Sequence, residues 1–345
     1  MRDIIIGNRH IGPEFAPFVI AEVGINHEGS FDKAIQMADA AAAAGADCVK
    51  YQCHITEEEM VPTDMTPGKI SSEKLWDIIK RCELTAEEER AVQAHCARIG
   101  ILYLSTPFSR AAADRLHGMG VPAFKIGSGE CNNYPLLDHI ARMGKPIILS
   151  TGMNDLASIE IAVRTIASRD CPLMLMHCTS MYPTPYEKVR LGAIHDLQER
   201  FGLPVGLSDH SIGIYTSLGA VALGACALEK HFTITRNWPG PDVPISIEPA
   251  ELAELVNGSR AIWLARGGKK TILPEEKPVI DFAYATVVTI TPVAKGEAFT
   301  MANTWVKRPG TGRILASEFE RVLGRTASRN LPADVHISPE DVAGY

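Results

Sequence analysis

The sequence predicts an α/β protein, a (β/α)8 TIM barrel followed by a small, separate β-rich domain. Three observations carry that reading. Eight short apolar runs each end in polar residues, alanine-rich helical patterns separate them, and this regularity stops after Ala265. Strands alternating with helices imply an all-parallel sheet. Eight such units over about 250 residues match a barrel closed on itself.

The runs are Phe18–Gly24, Cys48–Gln52, Ile101–Thr106, Ala123–Ser128, Pro146–Thr151, Leu173–Cys178, Val205–Ser208 and Ala227–Phe232. They are apolar throughout, as strands covered on both faces are. Between them, Asp32–Ala44 has helical spacing and stops at Gly45. Thr85-x-x-Glu88 is a capping box for Ala86–Ile99, which stops at Gly100. Ser109 caps Arg110–Gly118, Asp155 caps a helix to about Ser168, and Pro249 suits the first turn before Ala250–Ala265. The competitor, a doubly wound open sheet, lacks its Gly-rich loop after the first strand. One long gap, Ile55 to Glu83, holds Pro62, Pro67 and Gly68 and then a short helix from Ser72, and is read as a loop over the barrel mouth. The resulting domains are 1–270 (barrel), 271–283 (linker) and 284–345 (small domain, with a strand at Ala285–Ile290 and a helix at Ser317–Leu323).

A net charge of −7 and 46% hydrophobic residues describe a folded globular chain with no bulk nucleic-acid binding. No run approaches the roughly 18 apolar residues needed to span a bilayer, and Met1–Gly12 is not a signal peptide. The eight cysteines are scattered without a C-x-x-C pair, which points to a reduced, cytoplasmic protein.

Barrel active sites form where strands end. Those ends supply Glu22, Asn26 and His27; Lys50 and Gln52; Ser105 and Thr106; Lys125, Ser128 and Glu130; Ser150 and Thr151; His177, Thr179 and Ser180; Ser208, Asp209 and His210; and Glu229 and His231. The set is expected to converge on one mouth, which makes the chain an enzyme. Lys50 and Lys125 sit in apolar strands, where an inward ammonium needs an anion or a chemical role. With Thr106, Ser128, Ser150 and Ser208 they suit a phosphate and a carboxylate. The rival is a Schiff-base lysine, as in aldolases. Two readings of His210 and His231 stand from spacing alone. Beside Asp209 and Glu229 they suit Mn2+, Fe2+ or Zn2+, or else they are acid–base or structural histidines; His177 and His27 are alternative ligands. His177 and Cys178 point to opposite faces of a strand and form no catalytic pair. His195, Asp196 and Glu57-Glu58-Glu59 are read as solvated faces.

The strand-end motifs resemble the sialic acid synthase family: Ile20-Ala-Glu22-Val-Gly-Ile-Asn26-His27-Glu-Gly29, Val49-Lys50-Tyr-Gln52, Ser105-Thr-Pro-Phe108, Lys125-Ile-Gly-Ser128-Gly-Glu130, Leu149-Ser-Thr-Gly-Met153, His177-Cys-Thr-Ser180-Met-Tyr182-Pro183, Gly206-Leu-Ser208-Asp-His210 and Glu229-Lys-His231-Phe232. Gly240-Pro-Asp242, Arg266-Gly-Gly and Trp305-Val-Lys-Arg308-Pro-Gly310 match as well, so the resemblance covers essentially the whole chain. It implies that the tail is an antifreeze-like SAF domain, of β-clip fold. It also implies an N-acetylneuraminate synthase condensing phosphoenolpyruvate with N-acetylmannosamine and releasing phosphate by C–O cleavage. Lys50, Thr106, Lys125, Ser128, Ser150, Ser180 and Ser208 would then hold phosphoenolpyruvate. His210 and His231 would ligate Mn2+, with Mg2+ or Co2+ as substitutes. Gln52, Tyr182, Glu229, Asp242, Phe282 and Arg308 would line the sugar site, and Glu22 would move protons beside the metal. The family also implies a homodimer in which the SAF domain caps the partner's barrel. A legionaminic or pseudaminic acid synthase is the neighbouring reading, and a non-catalytic carbohydrate-binding protein a remoter one. Cys53, Ser180, Val243 and Ala333 depart from the family pattern, the first three at the substrate end.

Overall fold

The computed structural model describes residues 3–68 and 71–345. The chain forms two compact units, Met1–Gly267 and Gly268–Tyr345.

The first unit opens with a hairpin of β1 (Ile4–Ile6) and β2 (Arg9–Ile11), turning at Gly7 with φ 61°. Eight parallel strands follow: β3 (Phe18–Gly24), β4 (Cys48–Cys53), β5 (Leu102–Pro107), β6 (Phe124–Ile126), β7 (Ile147–Ser150), β8 (Leu173–Cys178), β9 (Val205–Asp209) and β10 (Ala227–His231). Ladders run in the order β5-β4-β3-β10-β9-β8-β7-β6, and β5 and β6 complete the ring as neighbours without a ladder between them. This near-closed barrel is the architecture expected; the open doubly wound sheet is excluded.

Helices lie outside: α1 (Phe31–Ala43), α2 (Thr56–Glu59), α3 (Leu75–Cys82), α4 (Ala86–Ile99), α5 (Arg110–Met119), α6 (Tyr134–Ala141), α7 (Leu156–Ala167), α8 (Tyr186–Val189), α9 (Ala193–Phe201), α10 (Tyr215–Ala222) and α11 (Pro249–Ala265). Their ends follow the local chemistry. Ser30, Ser109 and Asp155 each accept a backbone N–H in the first turn, and Thr85 and Glu88 form the expected box. Two small corrections arise. Helix α5 runs one residue past Gly118 and ends at the left-handed Gly120. In the long gap, α2 precedes α3, and α3 begins at Leu75 rather than Ser72; residues 69–70 of that gap lie outside the described residues.

Two apolar layers result. One lies between strands and helices, with Val19, Val49, Leu149, Leu207 and Leu228 meeting Met37, Val92, Leu116 and Leu252. The other fills the barrel interior, where Phe18, Ile20, Leu104, Ile148 and Met176 meet Ile4, Ile6 and Ile11 of the hairpin. The hairpin therefore stoppers the N-terminal end, leaving the opposite end open for chemistry.

In the second unit the stretch expected as linker carries α12 (Lys277–Ala283). Strands β11 (Thr286–Thr289) and β12 (Thr304–Lys307) pair antiparallel over a core that includes Val287, Phe299, Ile314 and Val342. The helix expected at Ser317–Leu323 is a 3-10 segment, Ala316–Arg321.

Candidate active site

Strand alternation decides which strand-end residues meet. On β4, Lys50 and Gln52 face inward, while Tyr51 faces out and donates to Ala34 O at 2.8 Å. On β9 and beyond, Ser208 and His210 face in and Asp209 out; on β10, Glu229 and His231 face in and Lys230 out. The inward set lines a cavity of about 340 Å³ with Glu22, Thr106, Lys125, Ser128, Ser150, Ser180, Tyr182 and Asp242. A roomier cavity of about 650 Å³ at the barrel's other end has, among the described residues, only Asp3 and Asp170 as charged liners and offers no such chemistry.

The expectation that every strand-end polar residue converges is too broad. Asp209 and Lys230 pair behind the barrel wall. His177 faces away, with Nε2 on Val189 O at 2.7 Å, and Thr151 donates to Met176 O at 3.0 Å. Asn26 ties Phe232 O to Ser246, and His27 is buried where it accepts from Gly29 N. Neither His27 nor His177 lines the cavity. Cys53, placed at the substrate end by the sequence, points out toward Glu89, and Val243 is buried off the cavity lining. Glu59 is no solvated face: its carboxylate is buried against His54 at 2.9 Å. Five liners lie outside the predicted set. Phe108 and Met153 stand inside quoted motifs, Cys178 shares parity with Ser180, and Gly127 and Gly129 flank Ser128. Phe282 and Arg308 belong to the second unit, on α12 and just after β12, where both are exposed.

Inside the cavity charges alternate. Lys50 Nζ lies 2.6 Å from Glu22 Oε2, 3.9 Å from Glu229 Oε2 and donates to Thr106 Oγ1 at 3.1 Å. Lys125 Nζ lies 3.3 Å from Glu229 Oε1 and donates to Ser150 Oγ at 2.8 Å; Ser208 donates to the same Glu229 oxygen at 3.1 Å. Burial and the neighbouring carboxylate of Glu229 push the Glu22 carboxyl up to about 7, although Lys50 opposes the rise. Burial also acts on Glu229, but there Lys125 and Lys50 prevail and hold it below the usual range. Burial lowers Lys125, whereas Lys50 is raised because Glu22 and Glu229 outweigh the same effect.

Gly152 makes the anion end possible. Its N–H donates to Ser128 Oγ at 3.0 Å, and a Cβ there would overlap Ser180 Oγ and stand 2.8 Å from Ser128 Oγ. Only a residue without a side chain lets these hydroxyls crowd together.

At the other end, the His210 and His231 ring centroids are 5.4 Å apart. His210 Nδ1 meets Thr179 O at 3.0 Å, which leaves Nε2 as the free electron pair beside Tyr182 OH at 3.3 Å. Burial works against charge on His210, but Cys178 and Thr179 raise it; burial and His210 hold His231 well below the ordinary imidazole range. His231 Nδ1 is buried without a hydrogen-bond partner among the described residues, 3.8 Å from Asp242 Oδ2. Burial lifts Asp242 to about 6. Two imidazoles with spare electron pairs fit a divalent ion. Among the described residues no three His, Cys, Asp or Glu side chains form a ready-made cage, so such an ion would keep positions for substrate or water.

Comparison with known proteins agrees with this geometry. Residues 37–271 match the NeuB family model and residues 284–343 match the SAF domain. The chain belongs to the NeuB family. The NeuB match contains every cavity liner except Glu22, which precedes it. Among NeuB relatives, the chain is 38% identical to an N,N'-diacetyllegionaminic acid synthase of Campylobacter jejuni, over 92% of this chain and 97% of that one. It is 34% identical to the human N-acetylneuraminate-9-phosphate synthase, over 87% and 85%. A crystal structure of N-acetylneuraminic acid (sialic acid) synthetase from Leptospira borgpetersenii, in complex with citrate, superposes with a TM-score of 0.74 at 35% identity, covering 81% of this chain and 95% of that one. The relatives are sialic-acid-type synthases acting on small molecules, and the sugar differs among them. No helix of the described residues is long and apolar enough to cross a membrane.

Proposed function

We propose that this chain is an N-acetylneuraminate synthase that condenses phosphoenolpyruvate with N-acetylmannosamine and water to give N-acetylneuraminate and phosphate. The observation that carries the reading is the pair of buried lysines, each on a hydroxyl and a carboxylate, in one cavity. Phosphoenolpyruvate brings two anionic ends; Lys50 with Thr106 and Lys125 with Ser150 supply the charge-assisted donors, and Ser128, Ser180 and Ser208 the remaining hydroxyls. Gln52, Tyr182, Glu229 and Asp242 face the sugar.

The chemistry balances as follows. The C2=C3 electron pair of phosphoenolpyruvate attacks the sugar aldehyde carbon, and the aldehyde oxygen takes a proton. Water adds to C2 and gives up a proton. The C2–O bond to phosphate then breaks, an electron pair of the new hydroxyl's oxygen closes the ketone, and the hydroxyl proton leaves with the phosphate. Glu22, whose carboxyl titrates at about 7, is suited to hand a proton in one step and take one in another. His210 and His231 would hold a divalent ion, foremost Mn2+ with Mg2+ or Co2+ as substitutes, and when bound it would supply Lewis acidity for activating the aldehyde. Arg308 would contact the N-acetyl group and Phe282 the sugar, both contributed by the partner of a domain-swapped homodimer. The proposed compartment is the cytoplasm.

Phosphate release from phosphoenolpyruvate, measured with each candidate sugar and with or without chelator, tests the reading. Turnover with N-acetylmannosamine and loss in chelator are expected. Turnover only with a 6-deoxy diacetamido sugar moves the assignment to legionaminic or pseudaminic acid synthesis, which the Campylobacter relative favours. The lowered Lys125 favours a second reading, a Schiff-base aldolase; borohydride trapping of a lysine adduct that survives chelator would establish it.

A further inference from the structure

Behind the cavity wall runs a chain of buried polar contacts whose outer members, Glu59 and His54, the proposed chemistry does not use. Glu59, at the end of α2, places its carboxylate oxygens 2.9 and 3.1 Å from His54 Nδ1. His54 Nε2 lies 2.9 Å from Gln52 Oε1, and Gln52 Nε2 donates to Glu22 Oε1 at 3.3 Å. The His54 ring stacks on Phe108 with centroids 4.6 Å apart and planes 14° from parallel. Both partners of the pair are withdrawn from solvent, with side chains 3% and 5% exposed. Gln52 and Glu22 line the cavity; His54 and Glu59 do not.

We propose that His54 and Glu59 are positioning residues that lock the Gln52 amide in one orientation. A glutamine amide is nearly symmetric in shape, so its direction is decided only by what each end meets. Here Oε1 meets His54 Nε2, and the ring's far nitrogen meets the Glu59 carboxylate; both contacts are made together when the ring carries a hydrogen on each nitrogen, as an imidazolium paired with that carboxylate. The ring cannot turn, because Phe108 covers its face. The NH2 end is thereby turned toward Glu22, and its second N–H remains for an acceptor oxygen of the substrate. A locked donor contributes orientation that a free amide must recover by losing rotamer freedom on binding. The inference rests on the synthase reading for the identity of that substrate oxygen, a sugar hydroxyl or carbonyl.

The test uses the full-length protein. His54→Phe keeps the stack on Phe108 and removes both ring nitrogens; Glu59→Gln keeps an acceptor for Nδ1. In the phosphate-release assay, His54→Phe is expected to raise the sugar KM about tenfold while the phosphoenolpyruvate KM stays within twofold, and Glu59→Gln, with His54 intact, to show only a small part of that rise. Adding His54→Phe to Gln52→Leu should cost little beyond Gln52→Leu alone, because His54 acts only through that amide. Equal KM values for His54→Phe and wild type, or fully additive losses, overturn the proposal. A second measurement does not depend on turnover. With selectively 15N-labelled glutamine (the others are Gln36, Gln93 and Gln198), the Gln52 side-chain amide should give sharp, exchange-protected signals that broaden in His54→Phe. Signals that are unchanged in His54→Phe refute the lock; protected signals without phosphate release from any sugar would sustain it while the synthase reading fails.

Discussion

The buried pair behind the two imidazoles makes a quantitative prediction. Asp209 and Lys230 are fully enclosed, their charges 3.2 Å apart. At an effective dielectric of about 20 that separation is worth roughly 5 kcal/mol of attraction. The two ions are unequally served by other partners. Asp209 also accepts from Ser211 N at 2.8 Å, Thr216 Oγ1 at 2.6 Å and Ser217 Oγ at 2.7 Å. Among the described residues, Lys230 has only the Ser211 carbonyl besides. Breaking a buried pair from one side costs about 3–5 kcal/mol. Lys230→Met leaves a carboxylate still held by three donors, so its cost should sit near 3 kcal/mol. Asp209→Asn leaves the ammonium without a counter-charge, facing neutral oxygens, and should cost about 5 kcal/mol, by the same range. The double variant should be less damaging than the sum by about 1–3 kcal/mol. Urea unfolding followed by far-UV circular dichroism measures all three. A Lys230→Met variant within 1 kcal/mol of wild type, or an Asp209→Asn variant no worse than it, refutes the reasoning.

Three further outcomes are expected. Gly152→Ala pushes Ser128 and Ser180 apart at the anion end; kcat/KM for phosphoenolpyruvate should fall about 100-fold with only about 1–3 kcal/mol lost in stability, and a change under about threefold contradicts the crowding argument. Glu22 is raised from 4.5 to about 7, so the folded state holds a proton that the unfolded chain gives up. Its stabilising contribution is complete below pH 4.5 and lost as pH rises through about 7. Wild type should therefore lose about 3 kcal/mol relative to Glu22→Gln across that window, and parallel stability curves for the two proteins would dismiss the shift. If the homodimer swaps its SAF domain, inactive Arg308→Ala and inactive His231→Ala chains mixed after co-refolding should regain about a quarter of wild-type turnover; no recovery argues for sites built within one chain.

The barrel was readable because strands covered on both faces are unbroken apolar runs between capped helices, as at β3 and β8. The same lack of alternation hid which end residues face inward: Asp209 and His177 looked as suitable as Ser208 and His210 until parity was fixed. The hairpin at β1 and β2 left a signal in Gly7-Asn8 directly after the apolar run Ile4–Ile6, too short to weigh alone. Helix α12 was read as linker because of Pro274 and Pro278, yet Pro278 falls in its first turn, where the missing N–H costs nothing. Glu59 was taken for a solvated charge because an acidic run usually is one; only the fold, which returns α2 to β4, shows what it is buried against.

The unladdered junction of β5 and β6 has a consequence for how the wall moves. Thr106 ends β5 and Lys125 lies on β6, so the anion end straddles the one join in the ring without backbone hydrogen bonds. Amides along those two edges should exchange with deuterium sooner than those of β3 or β9, since local opening there breaks fewer bonds. A ligand gripping Thr106 and Lys125 together acts as a stitch across that join. Substrate binding and protection of the barrel's weakest stave would then rise and fall as one event.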